Sequence, residues 1–190
     1  MIIESLVTTL DKTGHPNVAP MGVEWGEGEI VLKPYRETAT FRNLVETEAA
    51  VCNLVDEIGY YVKSALESPV FPSRPAKAVT GIVLEAACSW RELRVLEADT
   101  RGARGRFVCT VVHSEDARPF IGYNRARNAV LEATILATRT RILPIDEILA
   151  DLARLQVIVD KTAGEQEREA MDELQAFVRK ESEILKAGPK

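Results

Sequence analysis

The chain has 190 residues, 46% of them apolar and 28% charged, which suits one domain, or one domain with an appendage, and requires no disulfide or metal staple. A net charge of -5 argues against a general nucleic-acid binder, whose footprint would be basic. Residues 74–141 nevertheless hold twelve Lys and Arg against seven Asp and Glu, an excess that fits an anionic ligand as readily as ordinary surface variation.

IIESLVTTL is rich in β-branched residues and is followed by the turn residues DKTGHP, so a strand and a turn are expected. NVAPMGVEW reads as a second strand, GEGE as a hairpin turn and IVLKP as a third strand. In TATFRNLVET the period changes, with Phe41, Leu44 and Val45 at helical spacing and Thr38 or Thr40 as N-cap. AAVCNLV returns to strand character. YYVKSALES reads as a short helix, and PVFPSRPA, with three prolines in eight residues, as a loop. TGIVLEAACSWRELRVLEAD and RGRFVCTVVHSE read as long strands joined at TRGARG.

From Tyr123 the texture turns helical, and Ala126, Ala129, Val130, Ala133 and Leu136 share one face. A second helix carries Pro144 near its first turn, with Asp146 and Glu147 at its positive end. A third places Met171, Leu174, Phe177, Val178 and Leu185 on one stripe, and the last two form an antiparallel hairpin about residues 161–164. Strands first and helices after indicate an α+β fold with a mostly antiparallel sheet or barrel.

Cys52 and Cys109 sit in apolar runs, and Cys88 has no partner at a paired spacing. An odd cysteine count without a signal peptide points to a reducing cytoplasm, and no apolar segment approaches the roughly 20 residues that span a membrane. His15 lies in a turn and reads as solvated; His113 ends a strand, within reach of a ligand but better read as structural. Neither has a second histidine or cysteine at metal-ligand spacing, so no metal is expected. Gly26 and Gly28 give a hairpin turn rather than a dinucleotide fingerprint, and Glu165 with Glu167 reads as a solvated helix face.

YRETATFRNL concentrates donors at the mouth of a helix, where unpaired N–H groups and the dipole favour an anion. Thr38 and Thr40 add hydroxyls, Arg36 or Arg42 a guanidinium, and Asn43 a carboxamide that positions the loop or a ligand oxygen. The residues alone fit a phosphate site and a threonine cap with surface arginines equally well.

LVTTLDKTGHPNVAPMGVEW, a short strand, YRETATFRNL and then AAVCNLVD resemble, in order and spacing, the FMN-binding split-barrel superfamily of flavin reductases and pyridoxamine-phosphate oxidases. NRARNAVLEATILATR is similar to a helix in a branch from methanogens and methylotrophs whose function is uncharacterised. The match covers roughly residues 1–140. It implies an antiparallel split β-barrel over residues 1–141, with residues 142–190 a C-terminal helical hairpin on or beside it. It further implies a homodimer with FMN at the interface. Arg36, Thr38, Thr40 and Asn43, with Tyr35 adjacent, would hold the phosphate. Backbone at Met21 and Gly22 would approach the flavin ring, and Arg125 would contact a second ligand. The implied activity is an oxidoreductase moving hydride or electrons between NAD(P)H and flavin or a small substrate. The alternatives are a non-catalytic FMN-binding sensor or carrier, and an interaction module. A bound flavin would carry the redox chemistry itself, which fits the lack of a triad or metal.

Overall fold

The computed structural model describes residues 1–122 and 124–187, with side chains to residue 185. Tyr123, where the helical texture begins in the sequence, and residues 188–190 of the expected hairpin lie outside them. The chain divides into two compact units, one of residues 1–56 and 68–121, the other of residues 57–67 and 122 onward. The second unit therefore begins earlier than the sequence reading placed it and takes in two further helices.

The first unit is a closed six-stranded antiparallel barrel with α1 (Ala39–Thr47) at one of its ends. Its strands are β1 (Ile2–Leu10), β2 (Pro16–Trp25), β3 (Glu29–Leu32), β4 (Ala49–Val55), β7 (Ala87–Asp99) and β8 (Arg106–Asp116), in the order β1-β2-β3-β8-β7-β4. The Asp11 carboxylate sets the first turn by accepting from the Thr13 and His15 N–H groups at 2.8 and 2.9 Å. That turn fixes the register so that Leu10 faces Pro16 and Thr9 faces Asn17.

Inside the barrel pack Val7, Val23, Ile30, Leu32, Ala50, Cys52, Leu93, Phe107 and Cys109, with Phe41 and Leu44 of α1. The rings of Phe41 and Phe107 meet edge to face at 5.5 Å. Gly105 is needed there, because a Cβ at that position would lie 2.6 Å from each ring.

On the opposite face of β4 lies a second cluster of Val51, Val83, Ala87 and Trp90. It is roofed by a hairpin of β5 (Ser73–Pro75) and β6 (Ile82–Leu84). The sequence reading differs here twice. The proline-rich loop contributes β5, and the strand expected to run unbroken from Thr80 is interrupted after Leu84, where the Glu85 N–H turns to the Pro72 carbonyl at 3.0 Å. Two buried polar side chains hold this roof. Asn53 accepts from the Leu84 N–H at 2.9 Å and donates to the Leu6 carbonyl at 3.0 Å. Glu92, fully buried, accepts from the N–H groups of Lys77, Ala78 and Val79 at 2.9, 2.5 and 3.3 Å and from the Trp90 indole at 3.3 Å.

The second unit contains α2 (Ile58–Leu66), α3 (Arg125–Ala137), α4 (Ile145–Thr162) and α5 (Glu165–Ala187). The small face of α3, Ala126, Ala129, Ala133 and Ala137, is buried, as are Ile148 and Leu152 of α4 and Met171, Leu174 and Val178 of α5. Leu185, expected on the same stripe, is 47% exposed. Glu167 is not the solvated acid the sequence suggested. It is 5% exposed, accepts from the Arg127 Nε at 2.9 Å and receives the Gly164 N–H at 2.9 Å. Asn124 caps α3 by accepting from the Arg127 N–H at 3.0 Å. Among the described residues no helix is long and apolar enough to cross a membrane.

A candidate anion and flavin site at the start of α1

The loop ahead of α1 is tied to the β7–β8 connection. The Arg36 N–H donates to the Ala103 carbonyl at 3.2 Å and the Gly105 N–H to the Pro34 carbonyl at 2.9 Å. The Arg104 guanidinium lies 4.0 Å from the Tyr35 ring centroid and donates to its hydroxyl. These contacts hold residues 34–38 as a rigid entry to the helix.

Thr38 is the N-cap. Its oxygen accepts from the Phe41 N–H at 3.3 Å, and its hydroxyl donates to the Tyr35 carbonyl at 2.7 Å. Both functions of that hydroxyl are thus used within the protein, so of the two roles the sequence left open Thr38 fills the cap. The N–H groups of Ala39 and Thr40, the first two of the helix, have no acceptor among the described residues. They point out of the positive end of the helix dipole, the arrangement that favours an anion. Arg36 is exposed beside them, and Arg42 reaches back to the Glu37 carbonyl at 2.8 Å.

Thr40 is 2% exposed and Asn43 5%. Both belong to a polar network that the sequence reading missed. The Asn17 carboxamide donates to the Thr40 hydroxyl oxygen at 3.0 Å and to that of Thr9 at 3.4 Å, and Asn43 donates to Thr9 at 3.0 Å. Asn43 is therefore directed to β1 and steadies the helix. Thr9 and Asn17 are distant from α1 in sequence, but the turn at residues 11–15 places them opposite one another, which is the signal that would have found them.

Met21 and Gly22 lie further along β2. That strand pairs with β1 over its whole length but with β3 only through Glu24 and Trp25. Residues 17–23 of β2 thus present an edge with no partner strand among the described residues. Met21 is half-buried and packs against the barrel core, whereas Gly22 is exposed. From Asn17 to Met21 the extended strand covers about 13 Å. Tyr35, Arg36, Thr38, Thr40 and Asn43 are thus brought together at the head of α1. Met21 and Gly22 follow along the open edge of the strand whose Asn17 joins that group. Arg125 belongs to the second unit, exposed in the first turn of α3.

The other reactive side chains are set aside by burial. Burial pushes the Cys52 thiol up to about 11 and that of Cys109, which also faces Cys52, up to about 12. Cys88 is raised by burial and by the Asp56 carboxylate. In the native protein at pH 8, alkylation of all three by iodoacetamide should be slower than in the unfolded chain by roughly a hundredfold or more, because the thiolate is the reacting form. Mass spectrometry of timed samples with and without denaturant measures this, and rapid native labelling of Cys52 would contradict it. The His113 imidazole lies 3.2 Å from the Glu115 carboxylate, and no group of three metal-ligating side chains occurs among the described residues.

The family model described as "Protein of unknown function (DUF447) N-terminal domain" matches residues 3–118, more than half of the chain, and its companion DUF447 model matches residues 124–176. The chain belongs to the DUF447 family. Among solved structures, this DUF447 chain is similar to the FMN-bound DUF447 protein MM1853 of Methanosarcina mazei. The identity is 21% and the TM-score 0.81, over 93% of this chain and 94% of that one. It is also similar to the 2-nitrobenzoate 2-nitroreductase NbaA of Pseudomonas fluorescens, with 20% identity and a TM-score of 0.53 over 60% of this chain and 64% of that chain. An FMN-binding protein of Thermus thermophilus with bound 1-cyclohex-2-enone matches at 19% identity and a TM-score of 0.51, over 60% and 70%. These likenesses show that the DUF447 barrel has the fold of the FMN-binding split-barrel proteins. A search of curated proteins returned no match to the sequence.

Proposed function

We propose that this protein binds FMN, with the phosphate at the head of α1 and the ring along the open edge of β2, and that it works as an oxidoreductase fed by a reduced nicotinamide. The observation that carries the reading is the set of unused donors at one end of the barrel. They are the N–H groups of Ala39 and Thr40, together with a buried hydroxyl whose oxygen already accepts from Asn17. A phosphate supplies the acceptors these donors lack, and an elongated ligand bridges from there along the side of β2 that β3 leaves open, near Met21 and Gly22. The FMN-bound DUF447 protein of Methanosarcina mazei supports the same ligand. A bound flavin supplies the hydride and electron chemistry. The chain's own part is to anchor the phosphate, hold the ring against β2 and limit water. Arg36 adds positive charge beside the phosphate, while Thr38 and Asn43 fix the helix that carries the donors. The reading includes a homodimer with flavin at the interface, for which Ile2, Leu96 and Val112, exposed on β1, β7 and β8, offer apolar surface.

Purified protein reconstituted with FMN should show a bound-flavin spectrum that bleaches anaerobically with NADH or NADPH. A flavoprotein that neither nicotinamide reduces would favour a sensor or carrier, and a protein that retains no FMN would refute the site. Thr40→Val, which keeps the shape and removes the hydroxyl, should weaken FMN binding by about 1.5–3 kcal/mol, the worth of a hydrogen bond to a charged group. Flavin fluorescence titration measures it, and unchanged affinity would remove Thr40 from the phosphate site.

A further inference from the structure

We propose that Asn17 is a positioning residue that makes the site select the phosphorylated flavin over the unphosphorylated one. This rests on the FMN reading above. A threonine hydroxyl offers one hydrogen and two lone pairs, so what fills its lone pairs decides where its hydrogen can go. The helical threonines Thr47, Thr134 and Thr162 spend that hydrogen on the carbonyl four residues earlier, at 2.8, 2.7 and 2.8 Å. Thr40 differs. It is the second residue of α1, so the carbonyl four residues back belongs to the entry loop, and its hydroxyl makes no such bond. Instead its oxygen receives the Asn17 carboxamide at 3.0 Å. The same NH2 group reaches Thr9 at 3.4 Å, and Thr9, 1% exposed, also accepts from Asn43 at 3.0 Å. Asn17 is thereby held from one side by β1, and it is the NH2 group, shared between Thr9 and Thr40, that faces the Thr40 hydroxyl.

The consequence is a hydroxyl that cannot turn its hydrogen toward Asn17 and has no carbonyl beneath it. Its hydrogen is left for a ligand acceptor beside the free N–H groups of Ala39 and Thr40. A phosphate uses all three donors. Riboflavin, which ends in a neutral hydroxyl, leaves most of them unmet, and buried donors without acceptors are costly. Asn17 therefore acts on the phosphate end of the ligand and not on the ring.

Two variants in the full chain test this against FMN and riboflavin, by fluorescence titration, with a thermal melt of each unliganded protein. The wild type should bind FMN at least tenfold more tightly than riboflavin. Asn17→Leu should weaken FMN about tenfold and leave riboflavin within about twofold. Asn17→Asp, nearly the same shape, places a carboxylate that accepts the Thr40 hydrogen, and should weaken FMN more than Asn17→Leu does, again without affecting riboflavin. Equal losses for both flavins, or none for FMN in Asn17→Asp, would assign Asn17 a structural role only and overturn the proposal. If Asn17→Leu does not fold, Asn17→Asp decides alone. A wild type that binds FMN and riboflavin equally overturns the inference while leaving flavin binding intact, whereas one that binds neither flavin overturns both.

Discussion

Replacing Glu92 with glutamine should lower the unfolding free energy by about 3–4 kcal/mol, because at least two buried N–H groups lose a charged acceptor and each such loss costs about 1–3 kcal/mol. The carboxylate is fully buried and is surrounded by donors only, from the backbone at 77–79 and the Trp90 indole. Glutamine would turn an NH2 group toward some of them. Burial by itself would raise the Glu92 carboxyl, but the Lys77 and Ala78 N–H groups, the indole and His113 outweigh it and hold the carboxyl below the usual range. A folded value below the unfolded one means that the folded state binds fewer protons. The contribution is therefore complete above the unfolded value of about 4.3 and is lost as pH falls through the lowered folded value. The difference between wild type and Glu92→Gln should be full at pH 7 and shrink below about pH 4. Denaturant unfolding at several pH values measures both. A difference that stays constant into acid would show that Glu92 is not an anion in the folded protein.

Asn53→Leu should cost a similar amount, about 3–5 kcal/mol, by leaving the Leu84 N–H and the Leu6 carbonyl without their side-chain partner in a dry layer. Asn53 also donates to the Thr8 hydroxyl at 3.2 Å, and Thr8 in turn donates to the Ile82 carbonyl at 2.6 Å. One side chain thus joins β1, β4 and β6. The loss should be local first. Amide exchange at Leu84 should accelerate more than at Val7 inside the barrel, and equal acceleration at both would mean that the roof and the barrel unfold as one.

The architecture was legible wherever a periodic pattern ran its length. The β-branched residues of IIESLVTTL, the change of period at Phe41 and the alanine face of α3 each led to the element that forms. Thr38 as the cap was readable because capping is local. The failures share a cause. PVFPSRPA reads as loop because three prolines remove donors, yet Ser73–Pro75 needs only a short pairing with β6 to become a strand. Glu167 reads as exposed because its partner Arg127 lies forty residues earlier. At the site, Thr40 and Asn43 were visible as polar residues on a helix, but the side chains that orient them come from β1 and β2 through strand register. Asn53, a lone amide in AAVCNLV, carried a readable sign in being polar within an apolar strand; its partners did not.

The partial pairing of β2 also bears on how the chain stays out of trouble before any ligand arrives. A strand with unclaimed backbone invites addition of a strand from another molecule, the route to aggregation. Two prolines, Pro16 and Pro20, fall on this strand, each without an N–H to offer, and the exposed Gly22 brings no side chain with which an incoming strand could pack. The strand edge that β3 leaves open is thereby made a poor template for a strand from a second chain.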